Sequence, residues 1–130
     1  MISNICTNRN QSETLIGIGI EEDTADHFVL YNKNLEQVYQ IREGETFSQI
    51  KNNYASGIYP SWSLAQLLTL LPQEIKSHGK ICELVIKPEL PNIKILYITK
   101  DNEIIFNKLI ELSILGLIEV LILFREGNIN

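Results

Sequence analysis

The chain has 130 residues, 45% of them hydrophobic, which is enough apolar material for one domain to bury a core without metals or cross-links. Eleven basic residues against sixteen acidic ones leave a formal charge of -5, so most of the surface repels a phosphate backbone and nucleic-acid binding is disfavoured. The two cysteines, Cys6 and Cys82, are far apart, and no Cys/His cluster at zinc-ligand spacing accompanies either, so neither a disulfide framework nor a structural zinc site is indicated.

Residues 1–10 lack the apolar run of a secretory signal, and the expected location is the cytoplasm. Residues 109–124 are apolar except for Glu111, Ser113, Gly116 and Glu119. A membrane span wants about 20 apolar residues with few charges, so this stretch reads as a core helix and no membrane contact is expected.

In chain order, residues 7–16 are polar up to Leu15 and Ile16, and Gly17 and Gly19 follow as helix-stop positions. The pattern predicts a helix. A rival reading makes residues 14–20 a strand, because glycine alternates there with isoleucine. After a charged connection at 21–26, Phe28-Val29-Leu30-Tyr31 and Val38-Tyr39-Gln40-Ile41 predict a hairpin around Asn32-Lys33-Asn34, its register open. Residues 42–59 contain Gly44, Gly57 and Asn52-Asn53 and read as loop, with one helical turn near 47–51.

Ser63-Leu64-Ala65-Gln66 has the spacing of a capping box, in which Ser63 and Gln66 satisfy each other's unpaired backbone N–H groups. Trp62 and Leu67 stand where a hydrophobic staple needs them, and Ser63→Ala is expected to cost about 1 kcal/mol. Leu64, Leu67, Leu68 and Leu71 share one helical face, and Pro72 breaks the helix before a further turn that ends near His78-Gly79. Residues 81–87, 93–99 and 103–106 then predict three strands. Pro88 and Pro91 bound one connection and Lys100-Asp101-Asn102 makes the other, so the strands should form an antiparallel meander.

The last predicted helix covers residues 107–126, with Gly127 as its left-handed stop. Lys108, Glu111, Glu119 and Glu126 gather on one stripe at 100° per residue. Leu115 and Ile122 fall inside that stripe, which points either to a dimer or partner contact or to cover by a loop.

Candidate chemistry is sparse. Gly17-Ile18-Gly19 lacks the third glycine of a dinucleotide loop and the Gly-Lys-Ser/Thr of a triphosphate loop. Asp23, Asp26 and His27 are of the types that hold divalent metals or move protons, and equally of the types that solvate a surface connection. His78 before Gly79 suits the negative pole of a helix end. Cys82 is in phase with Leu84 and Ile86 and reads as core; nothing near Cys6 argues for an activated thiol. Tyr54, Tyr59, Pro60 and Trp62 could wall a ligand or peptide groove, or plug the open end of the core.

One further set of residues carries a likeness: Leu15-Ile16, Gly19-Ile20, Thr24-Ala25-Asp26, the run Pro60-Ser61-Trp62-Ser63-Leu64-Ala65-Gln66-Leu67-Leu68, Leu71-Pro72 and the closing Arg125-Glu126-Gly127-Asn128-Ile129. In these the chain resembles small uncharacterised proteins of Bacteroides-type gut bacteria and their phages. The resemblance implies a compact cytoplasmic protein of a prophage or other mobile element, and brings no catalytic residues with it. The very apolar final helix departs from that group.

The expected architecture is α+β: a single domain with one small antiparallel sheet of about three to five strands packed against two to three helices. The expected function is a non-catalytic protein-interaction or accessory module, with a protein partner or a second copy and no cofactor. The alternative is a small hydrolase or metal-dependent enzyme with a site near Asp23, Asp26 and His27.

Overall fold

The computed structural model describes residues 6–54 and 57–125. These fall into two compact units, one running to Leu67 and the other starting at Leu68.

The first unit opens with α1 (Arg9–Gly17). Asn8 caps it through a reciprocal box: its Oδ1 accepts the Gln11 N–H at 2.8 Å, and Gln11 Oε1 accepts the Asn8 N–H at 2.9 Å. Ser12 and Leu15 are its buried face, and Gly19 at φ 97° lets the chain turn away. The helical reading of this segment therefore holds over the strand reading. A single 3-10 turn (Glu22–Thr24) leads into the predicted hairpin, β1 (His27–Tyr31) and β2 (Glu36–Gln40). The predicted turn near 47–51 is α2 (Phe47–Lys51), capped reciprocally by Thr46 and Gln49.

A third strand, β3 (Ile58–Ser61), was not expected, because residues 42–59, with their glycines and little periodicity, read as loop; it also contains Pro60, which a strand interior disfavours. It is tolerated because β3 lies at one side of the order β2-β1-β3, where the missing N–H leaves little unpaired. Pairing is antiparallel, with Phe28 opposite both Tyr39 and Pro60. Val29 is fully buried in a cluster with Cys6 and Tyr59. On the other face, Phe28 and Tyr39 stack with centroids 5.3 Å apart. Gly57 enters β3 at φ 77°, and a Cβ there would lie 2.6 Å from the Tyr31 carbonyl oxygen, so only glycine fits.

Trp62 is fully buried and held by three polar contacts. Its N–H donates to Thr7 Oγ1 at 3.0 Å, its carbonyl accepts the Thr7 N–H at 2.9 Å, and its indole Nε1–H donates to Thr24 Oγ1 at 3.0 Å. Ser61 Oγ donates to the Thr7 carbonyl and Thr7 Oγ1 meets Ser12 Oγ, so this buried hydroxyl cluster is internally satisfied. The capped helix is α3 (Leu64–Thr69). Ser63 Oγ accepts the Gln66 N–H as predicted, but the return arm differs: the Ser63 N–H donates to Asp26 Oδ1 at 2.8 Å and the Gln66 amide donates to the Thr24 carbonyl. A carboxylate 37 residues away takes the place of the expected local partner.

The second unit holds β4 (Glu74–Ser77), β5 (Lys80–Glu89), β6 (Asn92–Thr99) and β7 (Ile104–Glu111), followed by α4 (Ile114–Arg125). The strands form the predicted antiparallel meander, in order β4-β5-β6-β7. Its first strand corrects the sequence reading, which made residues after Pro72 helical and set His78 against a helix end. His78 and Gly79 instead have φ 52° and 79° and close a two-residue hairpin between Ser77 and Lys80.

A second correction concerns residues 107–111, read as the start of the last helix. They continue β7 with alternating exposure, so Lys108 and Glu111 leave the proposed helical stripe. The helix begins only after Ser113, whose Oγ accepts the Gly116 N–H at 3.0 Å. Gly116 packs so close to the end of β7 that a Cβ would overlap the Glu111 carbonyl oxygen. Ile114, Leu117, Ile118, Val120 and Leu121 are buried, whereas Leu115 is 61% exposed and Glu119 is also exposed. Tyr97, Phe106 and Phe124 join sheet and helix, with centroids 5.1 to 6.0 Å apart. Glu126 and the proposed stop at Gly127 lie outside the described residues.

The expected single sheet is thus overturned: there are two antiparallel sheets, of three and four strands, in a sheet-rich α+β arrangement. The three-stranded sheet does not grow past β3, because Cys6 bridges Ser63 and Thr7 bonds Trp62 along that side. No helix among the described residues is long and apolar enough to cross a membrane.

Candidate functional site

The structure separates the carboxylates proposed as a cluster. Asp23 Oδ1 accepts both the N–H and the hydroxyl of Ser48, at 2.8 and 2.6 Å, at the first turn of α2. The Ser48 hydroxyl and then its N–H hold the Asp23 carboxyl below the usual range. Asp26 receives the Ser63 N–H on Oδ1 and the Ser63 hydroxyl on Oδ2 at the start of α3. Burial alone would push the Asp26 carboxyl up, but the Ser63 hydroxyl and N–H, aided by His27, outweigh it and hold it low. His27 Nδ1 is 3.2 Å from Asp26 Oδ1, a separation without hydrogen-bond alignment. Among the described residues no group of three or more His, Cys, Asp or Glu could hold a metal ion.

These carboxylates act as remote helix caps. The 3-10 turn that carries Asp23 also carries Glu22, whose Oε1 pairs with Lys51 at 3.2 Å, so both ends of α2 are tied to it. Residues of the β1–β2 hairpin, of the segment 42–45 and of α2 with the residues just after it line a cleft of about 360 Å³. Ligand pockets usually begin at about 300 Å³.

Each wall of the cleft comes from a separate piece of local structure. Phe28 and Tyr39 are paired across β1 and β2, and Ile50 on α2 completes an apolar floor. Tyr54, two residues past Asn52, also lines the cleft and is 40% exposed as a residue. Arg42 and Glu45 come from a tight turn in which the Glu45 N–H donates to the Arg42 carbonyl at 3.0 Å, with Gly44 at φ 86° in the third position. Gln40 and Asn53 contribute two carboxamides. Arg42 and Glu45 face the same hollow with no ion pair between them among the described residues.

Of the aromatic residues proposed as a groove, Tyr54 lines this cleft, while Trp62 is fully buried and Tyr59 is 6% exposed. Burial, then the nearby Glu36, pushes the Tyr59 hydroxyl up to about 12, and its oxygen is buried with no hydrogen-bond partner among the described residues. Cys6 is fully buried, and that burial raises its thiol, which disfavours the reactive thiolate. Leu115 projects from α4, and Ile122, two turns on, is half-buried. Sequence reasoning did not single out Phe28, Tyr39, Arg42, Glu45, Ile50 or Asn53. The Glu43-Gly44 turn and the hairpin register were the signals that could have found them. A second hollow, of about 280 Å³, sits beside Gly79 and Lys100, but its Lys80 is already paired with Glu103 at 3.0 Å. No protein-family model, curated protein or solved structure matches the chain, so its own geometry carries the functional argument.

Proposed function

We propose that the chain is a non-catalytic binding module whose point of recognition is the cleft between the β1–β2 hairpin and α2. One observation carries this reading: an apolar floor of Phe28, Tyr39 and Ile50 is ringed by Gln40, Arg42, Glu45 and Asn53, polar side chains that no hydrogen bond or ion pair engages among the described residues. Asp23, Asp26, Gln11 and Gln49 of the same unit are, by contrast, committed to capping and bracing helices. A cleft that sets aromatic rings beside unengaged polar groups suits a small ligand with both polar and apolar parts. Asp23 and Asp26, the carboxylates considered for catalysis, are engaged in capping helices, which supports binding over catalysis.

The test is an NMR screen of the full chain with a mixed set of small aromatic compounds. Shifts concentrated at Phe28, at residues 39–45 and at residues 50–54, and lost in Tyr54→Ala, are expected. Responses scattered over the surface, or turnover of any compound, would overturn the reading.

A further inference from the structure

We infer that the ligand of this cleft is a free aromatic amino acid, held by its zwitterionic head on Arg42 and Glu45 and by its ring on the floor formed by Phe28, Tyr39 and Ile50. This rests on the proposed binding role of the cleft and names the class of molecule that fits it.

The argument starts from the turn. Arg42 and Glu45 are its first and fourth residues, joined by the Glu45 N–H to Arg42 carbonyl bond, which brings their Cα atoms within about 7 Å. Exposed opposite charges gain little by pairing with each other, and each lines the cleft without an ion pair to the other among the described residues, so both heads are open to a ligand. A guanidinium suits a carboxylate, to which it can donate two parallel hydrogen bonds. A carboxylate suits an ammonium. The two ends of one small zwitterion satisfy both at once, and their sum leaves the site neutral.

The alternatives fit less well. A phosphate-bearing ligand would gain from Arg42 but meet Glu45, in a chain of net charge -5. An internal residue of a protein partner carries neither an α-ammonium nor an α-carboxylate, and a chain terminus carries one of them. Only a free amino acid presents both on one carbon. The floor selects the side chain: Phe28 and Tyr39 stack on each other, and Tyr54 of the same lining has no ring partner among the described residues, so an aromatic ligand has ring surface to meet there.

The experiment is a titration of the full chain, followed by NMR, with L-phenylalanine and three relatives. Phenethylamine lacks the carboxylate, phenylpropionate lacks the ammonium, and benzyl alcohol keeps only a ring and a hydroxyl. L-phenylalanine is expected to bind at least about ten-fold more tightly than each of the others, the effect of one charge-assisted hydrogen bond. Arg42→Gln should bring L-phenylalanine down to the level of phenethylamine, and Glu45→Gln down to that of phenylpropionate. Both residues are exposed, so circular dichroism should show both variants folded.

If all four compounds bind the cleft equally, recognition of the head is refuted and the binding module stands. The same holds if phenylpropionate binds as well as L-phenylalanine, which would point to a chain terminus or another simple carboxylate. If none binds the cleft, this inference fails. If the broader aromatic screen also leaves the cleft silent, the binding module fails with it.

Discussion

The two units solve the same problem, making a small sheet stable, in opposite ways. The four-stranded meander has strands of up to ten residues, a two-residue turn at His78-Gly79, and an aliphatic helix on a short capped connection. Its order comes mainly from local pairing. The three-stranded sheet has strands of four or five residues, and its stability rests on side chains that reach far along the chain: Asp23 to Ser48, Asp26 to Ser63, Thr7 to Trp62 and Trp62 to Thr24. Short strands with little ladder of their own need such fasteners. The polar side chains around the cleft, Gln40, Arg42, Glu45 and Asn53, are not among these fasteners.

Three substitutions probe this contrast, in falling order of effect. Trp62→Ala should be the most damaging, at about 3–5 kcal/mol, because it empties a fully buried site. It also strands Thr24 Oγ1 without its indole donor. Chemical denaturation measures the loss, and a value under about 1 kcal/mol would mean that the first unit does not depend on this hub.

Gly116→Ala tests the second unit at its tightest local joint. Alanine normally stabilises a helix by about 1 kcal/mol over glycine. Overlap with the Glu111 carbonyl should reverse the sign to a loss of about 1–3 kcal/mol. Gly17→Ala is the control: a Cβ there meets nothing within 4 Å, so the same exchange should be neutral or slightly stabilising. Equal melting temperatures for the two variants would refute the close approach.

Asp26→Asn should cost about 1–2 kcal/mol at neutral pH by weakening the double bond from Ser63. The pH dependence has a definite sign. The folded-state value of Asp26 lies below its unfolded value of about 3.9, so its stabilisation is complete above that value and is lost as pH falls through the lower, folded one. Melts of the unmodified chain should therefore approach those of Asp26→Asn in acid, and a constant gap down to about pH 2 would contradict the assignment.

Much of the fold was legible in the sequence wherever one local signal decides one element. The β1–β2 hairpin, the turn of α2, the cap of α3 and the strands β5 and β6 follow from patterning and capping residues. The errors came where one signal has two meanings. Glycine after His78 can stop a helix or close a hairpin, and only the pairing of Ser77 with Lys80 tells which. Gly57 can mark a loop or the entry to a strand, and only the pairing of Ile58–Ser61 with β1 tells which. Residues 107–111 carry apolar side chains that satisfy either period.

The cleft was barely legible. Tyr54 was visible as an aromatic residue, but Arg42 and Glu45 stood in a stretch without periodicity, and the Phe28–Tyr39 pair needs a register that Asn32 to Leu35 leave open. Asp23 and Asp26 attracted attention as neighbours in sequence. Their partners are 25 and 37 residues away, which no local pattern announces.

The two cysteines acquire a use from where they lie. Cys6 belongs to the first unit and Cys82 to the second, both fully shielded and neither cross-linked. A thiol reagent can reach each sulfur only when its surroundings open, so the rate of labelling at each position times the opening of one unit. Peptide mass spectrometry separates the two signals without any substitution. The chain thus carries two built-in clocks, which should run at one rate if the units open together and at two if they do not.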